Sequence, residues 1–240
     1  MVDVIAFDAD DTLWHNERMF QATEVQFAEL LSAYHPAGWV RERLFATEMK
    51  NLGHFGYGCK GFILSMIETA LDLTESRIGG AEIKRIVDWG HEMLLHPVQL
   101  LDGVRETIEA LNGRYRLMLL TKGDLFDQES KLARSGLGEF FNAVEIVSTK
   151  NAAMYRTILS RHNIAPERFV MVGNSLRSDV LPALDAGALA VHIPYEMTWA
   201  HEHLDEEALA GREFGVLERI AELPEWLATR PRSDRPSPPR

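Results

Sequence analysis

Asp8 and Asp10 stand two residues apart directly after the apolar run Val4-Ile5-Ala6-Phe7, with Asp11 and Thr12 next. Carboxylates released where a buried parallel strand ends lie in the crevice where open α/β sheets place their ligands. Three acids so close together repel one another unless a cation or a proton offsets them. Acids after a strand also cap turns, a role that suits Asp11 best. Further along come Thr121-Lys122-Gly123, Lys150 and Gly173-Asn174-Ser175-Leu176-Arg177-Ser178-Asp179, each just past another apolar run. A carboxylate nucleophile, a second acid, an ammonium and hard oxygen donors for a cation are the groups that phosphoryl transfer needs.

The segment Asp8-Ala9-Asp10-Asp11-Thr12-Leu13 resembles the first motif of the haloacid dehalogenase-like superfamily, aspartate-nucleophile hydrolases most of which are phosphatases. Thr121 matches the second motif, a hydroxyl residue at a strand end. Lys150 matches the third, a lone lysine. Asn174 and Asp179 fall on the fourth, usually Gly-Asp-Ser with a further Asp. Taken singly, each residue has an ordinary structural explanation: Thr121 ends a strand, Asp179 faces a helix dipole, Lys150 is solvated. Their occurrence in the correct order over about Val2 to Pro194 points instead to one site.

The resemblance implies a role for each. Asp8 attacks phosphorus and forms an aspartyl phosphate. Asp10 protonates the departing alkoxide, then deprotonates the water that hydrolyses the intermediate. Mg²⁺ is held by a side-chain oxygen of Asp8, the backbone carbonyl of Asp10, Asn174 and Asp179, a hard-oxygen set that suits it. Thr121 and the amides of Lys122 and Gly123 grip the phosphoryl oxygens, while Lys150 neutralises charge and restrains Asp8. Asn174 departs from the pattern, being neutral where an acid is usual. Two readings follow, a phosphatase with a weaker cation site or a phospholigand-binding or regulatory relative. A phosphomutase would keep the same groups. A 2-haloacid dehalogenase would have no use for an acid at Asp10, because halide leaves without a proton.

These residues need a scaffold, and the pattern of apolar residues predicts one. Strands are expected at Val4–Phe7, Tyr115–Leu120, Ala143–Val147, Phe169–Val172 and Leu189–Ile193. Helices are expected between them at Val104–Leu111, Leu125–Ser135, Ala152–His162 and Asp179–Ala186. This is a doubly wound, parallel, five-stranded Rossmann-like α/β sheet. Four helices in a row, at Glu17–Tyr34, Val40–Asn51, Phe62–Leu73 and Ala81–Leu95, interrupt the alternation and predict an inserted helical cap. The expected division is a core of 1–15 and 99–228, a cap of 16–98, and a disordered Pro/Arg-rich tail of 229–240. Phe214–Leu227 reads as a last helix. Between the second and third cap helices, Gly53 to Gly61 holds four glycines with Tyr57 and Lys60 among them. Such a stretch frees the backbone to approach a ligand, and the resemblance implies that it selects the substrate.

The 240 residues, 46% of them apolar, can bury one core, or a core and a satellite. A net charge of −11 with scattered basic residues argues against nucleic-acid and anionic-membrane partners. No basic segment precedes a long apolar stretch, and no apolar run approaches the roughly 18 residues of a membrane span. A cytoplasmic protein, monomer or homodimer, is expected, and the resemblance implies a small phosphorylated substrate. Cys59, the only cysteine, is expected to be a small packed residue. His201 and His203 lie in an acidic stretch without a third ligand and receive no role.

Overall fold

A computed structural model describes residues 2–197, 199–202 and 209–229. The chain folds as two compact units. The described residues of Met1–Glu17, Val98–Lys122 and Lys131–Arg240 form one; Arg18–Pro97 and Gly123–Ser130 form the other.

The first unit is an α/β fold built on a parallel sheet of six strands among the described residues. These are β1 (Val4–Phe7), β2 (Arg116–Lys122), β3 (Ala143–Val147), β4 (Phe169–Gly173), β5 (Leu189–His192) and β6 (Gly215–Val216), in spatial order β3-β2-β1-β4-β5-β6. β1 pairs with β2 on one side and β4 on the other, so Val4 lies opposite both Arg116 and Phe169. All four of its residues are buried, as a strand covered on both faces requires. Alternation then assigns the faces. Ile5, Phe7, Leu117, Leu119, Val170 and Val172 pack with Ile108 and Leu223. Val4, Ala6, Met118, Leu120, Phe169 and Met171 pack with Tyr155, Ile158 and Ala183.

The second unit holds the helices α1 (Glu17–Leu30) from Arg18 onward, α2 (Ala37–Phe55), α3 (Cys59–Leu73) and α4 (Gly80–Leu95). They close over Phe27, Leu31, Leu44, Met66 and Ile86, with Cys59 buried among them. Around the sheet run α5 (Val104–Leu111), α6 (Leu125–Ser135), α7 (Ala152–Arg161), α8 (Leu181–Asp185) and α9 (Leu223–Ala228). α6 belongs to both units, its first turns to the helical one and Lys131 onward to the sheet. Among the described residues no helix is long and apolar enough to cross a membrane.

The structure corrects the sequence reading in four places. The sheet has six strands rather than five, because Gly215–Val216 pairs with Val191 and His192. Two residues carry no detectable alternation, and Gly215 is required there because a Cβ would meet the Trp226 indole at 2.6 Å. The helix expected over Phe214–Leu227 shrinks accordingly to α9 and the single turn Ile220–Glu222 before it. The helix expected at Asp179–Ala186 is a π-helical turn, Leu176–Val180, followed by α8. Gly53–Gly61 is mostly helical, since α2 runs to Phe55 and α3 starts at Cys59; only Gly56, Tyr57 and Gly58 link them. Gly56 and Gly58 adopt positive φ there, which makes so short a link possible. The expected tail lies outside the described residues beyond Thr229.

Candidate active site

Because the strands are parallel, their carboxyl ends share one edge. Asp8 follows β1, Thr121 and Lys122 close β2, Lys150 comes shortly after β3, and Asn174 follows β4. The chain leaves β1 through a tight turn in which Leu13 N–H donates to the Ala9 carbonyl at 2.8 Å. Asp11 sits in this turn at φ 59°, and its carboxylate accepts from the Asn16 and Glu17 amides at 2.8 and 3.1 Å. It thus caps the start of α1. Burial, opposed by these amides and reinforced by Asp10, pushes its carboxyl up to about 7.

Lys150 forms the centre of the site. Its ammonium donates to Asp8 Oδ1 at 2.5 Å and to Asp179 Oδ1 at 2.6 Å, and all three residues are buried. Burial alone would lower the lysine; Asp179 and then Asp8 outweigh it and hold it above the usual lysine range. Asp8 feels burial first, with Lys150 opposing and Asp179 adding, and is raised to about 7. The other Asp8 oxygen, Oδ2, receives a long 3.4 Å contact from the Thr12 hydroxyl, which also reaches Asn174 Oδ1 at 3.2 Å. Asp179 Oδ2 accepts from the Ser175 amide at 3.0 Å. The turn that carries Asp179 fits only because residue 173 is glycine: a Cβ there would lie 2.2 Å from Asp179 Oδ2.

Asp10 points elsewhere. Its Oδ1 accepts from Trp14 Nε1 at 2.8 Å and from Lys131 Nζ at 3.0 Å. Thr121 is buried and donates to the Lys122 carbonyl at 3.3 Å. The Lys122 ammonium meets Glu202 Oε1 at 2.5 Å and donates to Ser178 Oγ at 2.8 Å. Lys131, Trp14 and Glu202 are additions that the motifs do not include. Lys131 had a signal: Asp127, Lys131 and Ser135 recur every four positions, a polar stripe where an amphipathic helix would carry apolar residues. Glu202, one acid in an acidic stretch, had none.

Gly123, Tyr57 and Lys60 belong to the helical unit. Gly123 has φ 142°, and a Cβ on it would meet Gln128 Nε2 at 2.9 Å. Tyr57 lies in the short link between α2 and α3. Lys60 pairs with Asp124 at 2.9 Å and lies 5.6 Å from the Phe126 ring centre. His201 packs against Trp199 with ring centres 4.9 Å apart, while its carbonyl accepts from Arg177; His203 lies outside the described residues.

The donor set can be tested against a divalent cation. Among the described residues no three Asp, Glu, His or Cys side chains gather as a metal cage. What converges is the carboxylates Asp8 and Asp179 with the Asn174 amide oxygen, and one ammonium between two buried carboxylates leaves an excess of negative charge. Hard oxygens with excess negative charge fit Mg²⁺.

A family model for haloacid dehalogenase-like hydrolases matches residues 2–187. A haloacid dehalogenase-like family hydrolase from Xanthomonas campestris is 40% identical, with a TM-score of 0.84 over 95% of this chain and 91% of that one. A glyceraldehyde 3-phosphate phosphatase of Methanothermobacter thermautotrophicus is 34% identical over 119 residues, 47% of this chain and 51% of the relative, so the match spans about half the relative's length. The N-acylneuraminate-9-phosphatase of Mus musculus is 28% identical over 204 residues, 79% of this chain and 81% of the relative.

Proposed function

Since the chain belongs to the haloacid dehalogenase-like hydrolases, we propose that it hydrolyses a small phosphate monoester through a covalent intermediate on Asp8. The observation that carries this reading is the Lys150 ammonium fixed between Asp8 and Asp179. It pins one Asp8 oxygen and leaves Oδ2, with its long Thr12 contact, to face phosphorus. Asp8 bonds to phosphorus as the ester P–O bond breaks, and Asp10 gives its proton to the leaving oxygen. Asp10 then takes a proton from water, whose oxygen attacks phosphorus and releases Asp8 and inorganic phosphate. The Thr121 hydroxyl and the Lys122 amide hold phosphoryl oxygens, and Lys150 offsets their charge. Asp8, the Asp10 carbonyl, Asn174 and Asp179 would hold Mg²⁺, which when bound supplies positive charge to the carboxylates and the phosphoryl group.

The relatives named above act on glyceraldehyde 3-phosphate and N-acylneuraminate 9-phosphate, phosphate monoesters of small hydroxylated carbonyl compounds. A substrate of that kind is the working assignment, with Tyr57 and Lys60 its selectors. The test is phosphate release from a panel of monoesters with Mg²⁺, these two included, by the wild type and by Asp8→Asn. Turnover in the wild type and loss of at least about 10⁴-fold in the variant is expected, since an amide cannot serve as this nucleophile. Inactivity across the panel would leave the phospholigand-binding reading; undiminished turnover by Asp8→Asn would remove the covalent route.

A further inference from the structure

Glu202 lies outside the four motifs, in the single turn Ala200–Glu202, yet its side chain is only 13% exposed. Three donors converge on its carboxylate. The Lys122 ammonium meets Oε1 at 2.5 Å, the Ser178 hydroxyl meets Oε2 at 2.5 Å, and the Ser175 hydroxyl meets the same Oε2. Burying a carboxylate costs several kcal/mol unless charge and hydrogen bonds repay it, and here both do.

These partners flank the candidate site. Lys122 is the residue after Thr121. Ser175 and Ser178 bracket the turn that presents Asp179, with Ser178 N–H donating to Ser175 Oγ at 2.9 Å and Ser175 N–H to Asp179 Oδ2 at 3.0 Å. The Tyr155 hydroxyl donates to the Ser178 carbonyl at 3.2 Å from the other side of that turn. One carboxylate therefore ties the end of β2 to the turn after β4.

We propose that Glu202 is a positioning residue: it occupies the Lys122 ammonium, so that this lysine contributes its amide rather than its charge to phosphate, and it fixes the Ser175–Ser178 turn that aims Asp179. The inference rests on the phosphatase reading for its role in turnover. Product release gives it a purpose. A second ammonium competing with Lys150 for the phosphate dianion would hold inorganic phosphate after hydrolysis, and tighter ground-state binding does not lower the barrier of the chemical step.

The experiment compares wild type, Glu202→Gln, Lys122→Met, the double variant and Glu202→Asp. Inorganic phosphate binding is measured by calorimetry with Mg²⁺, and kcat and KM on p-nitrophenyl phosphate. Glu202→Gln is expected to bind phosphate about tenfold more tightly, the effect of one added cation at a few ångströms in a partly screened site, with a reduced kcat. Adding Lys122→Met should return phosphate affinity to that of Lys122→Met alone. Glu202→Asp, which keeps the charge on a shorter stem, should keep wild-type phosphate affinity while kcat falls, and it serves if Glu202→Gln does not fold. Unchanged or weaker phosphate binding in Glu202→Gln, a gain that survives the double variant, or no phosphate binding by any of the proteins would overturn the proposal. If the wild type hydrolyses no monoester, the proposed function falls by itself, and the calorimetric comparison still decides the case of Glu202.

Discussion

Lys131 places its ammonium 3.0 Å from Asp10 Oδ1, the oxygen that also accepts the Trp14 indole N–H at 2.8 Å. The same ammonium donates to Asn16 Oδ1 at 2.9 Å. The residue read as general acid and base is therefore held by a cation from α6 and by an aromatic donor four positions along its own turn. Proton transfer to a leaving oxygen depends on distances of a few tenths of an ångström, so whatever fixes this carboxylate sets the rate.

Lys131→Met keeps the length of the side chain and removes the charge. Its expected effect is a fall in kcat of about ten- to a hundredfold, with KM within about threefold of the wild type because no phosphate contact is lost. Steady-state kinetics on a generic monoester checks this. A rise in KM with kcat preserved would mean that Lys131 serves substrate binding instead.

Gly173→Ala tests whether the site depends on the close approach between β4 and the turn after it. The added methyl would lie 2.2 Å from Asp179 Oδ2 and 2.4 Å from its carboxyl carbon, a clash that only a shift of the turn relieves. Moving Asp179 also loosens Lys150, which depends on it for one of its two carboxylates. Activity should fall at least about a hundredfold, and stability by about 1–3 kcal/mol. Circular dichroism melts beside kinetics separate the two; wild-type activity with an intact fold would show that the turn adapts at no cost.

How far the sequence disclosed this architecture varies with the kind of force involved. The parallel strands were legible because burial on both faces writes itself as runs such as Val4–Phe7 and Phe169–Val172. The groups at the strand ends were legible because chemistry restricts their types. β6 was not, because two residues cannot show a period and its place is set by Val191, His192 and the Trp226 ring over Gly215. The π-helical turn was also hidden. Beside a local cap, in which the Ser175 hydroxyl accepts from the Ser178 N–H, it is held by Glu202 from beyond β5, a contact between residues far apart in the chain. The glycines of Gly53–Gly61 misled for a physical reason. Gly53 and Gly61 lie inside helices, and a Cβ at Gly61 would meet the Gly56 carbonyl oxygen at 2.8 Å. Close packing, rather than a flexible loop, accounts for Gly61.

Glu202 also makes an acid-stability prediction. Burial works to raise its pKa, but Lys122 and the Ser175 and Ser178 hydroxyls outweigh it and hold the carboxyl at about 2, against 4.5 unperturbed. Among the described residues Lys122 is the ion-pair partner that faces it, and the neighbouring His201 has its pKa lowered by burial and by Arg177. A carboxyl lowered on folding stabilises the protein above its unfolded pKa and loses that contribution as pH falls from 4.5 toward 2. The shift corresponds to about 3 kcal/mol. The melting-temperature gap between wild type and Glu202→Gln should be widest near neutral pH, narrow as pH falls below 4.5 and be largely closed only at about pH 2. A gap that stays constant with pH would mean that the packing of Glu202, and not its charge, matters.

In the proposed function, Asn174 sets how strongly the site holds Mg²⁺. Its Oδ1 accepts from the Thr12 hydroxyl at 3.2 Å, and its backbone N–H donates to Thr12 Oγ1 at 3.0 Å, which sets the side chain beside Asp8 Oδ2 through a shared partner. An amide oxygen offers a dication a dipole, where a carboxylate would offer a charge. Asn174→Asp adds that charge within a few ångströms of a bound dication, an attraction of about a few kcal/mol even at a high effective dielectric. Part of it is lost to repulsion from Asp8 and Asp179, already two buried carboxylates on one ammonium. The variant should therefore need less Mg²⁺ for half-maximal activity, by about tenfold or more, while its substrate-free stability falls because the extra charge has no cation to meet. Mg²⁺ titration of the steady-state rate, calorimetric Mg²⁺ binding without substrate, and melts with and without Mg²⁺ read these separately. An equal or higher Mg²⁺ requirement, with no Mg²⁺-dependent gain in melting temperature over the wild type, would show that Asn174 faces away from the cation. The site would then have to be redrawn around Asp8 and Asp179.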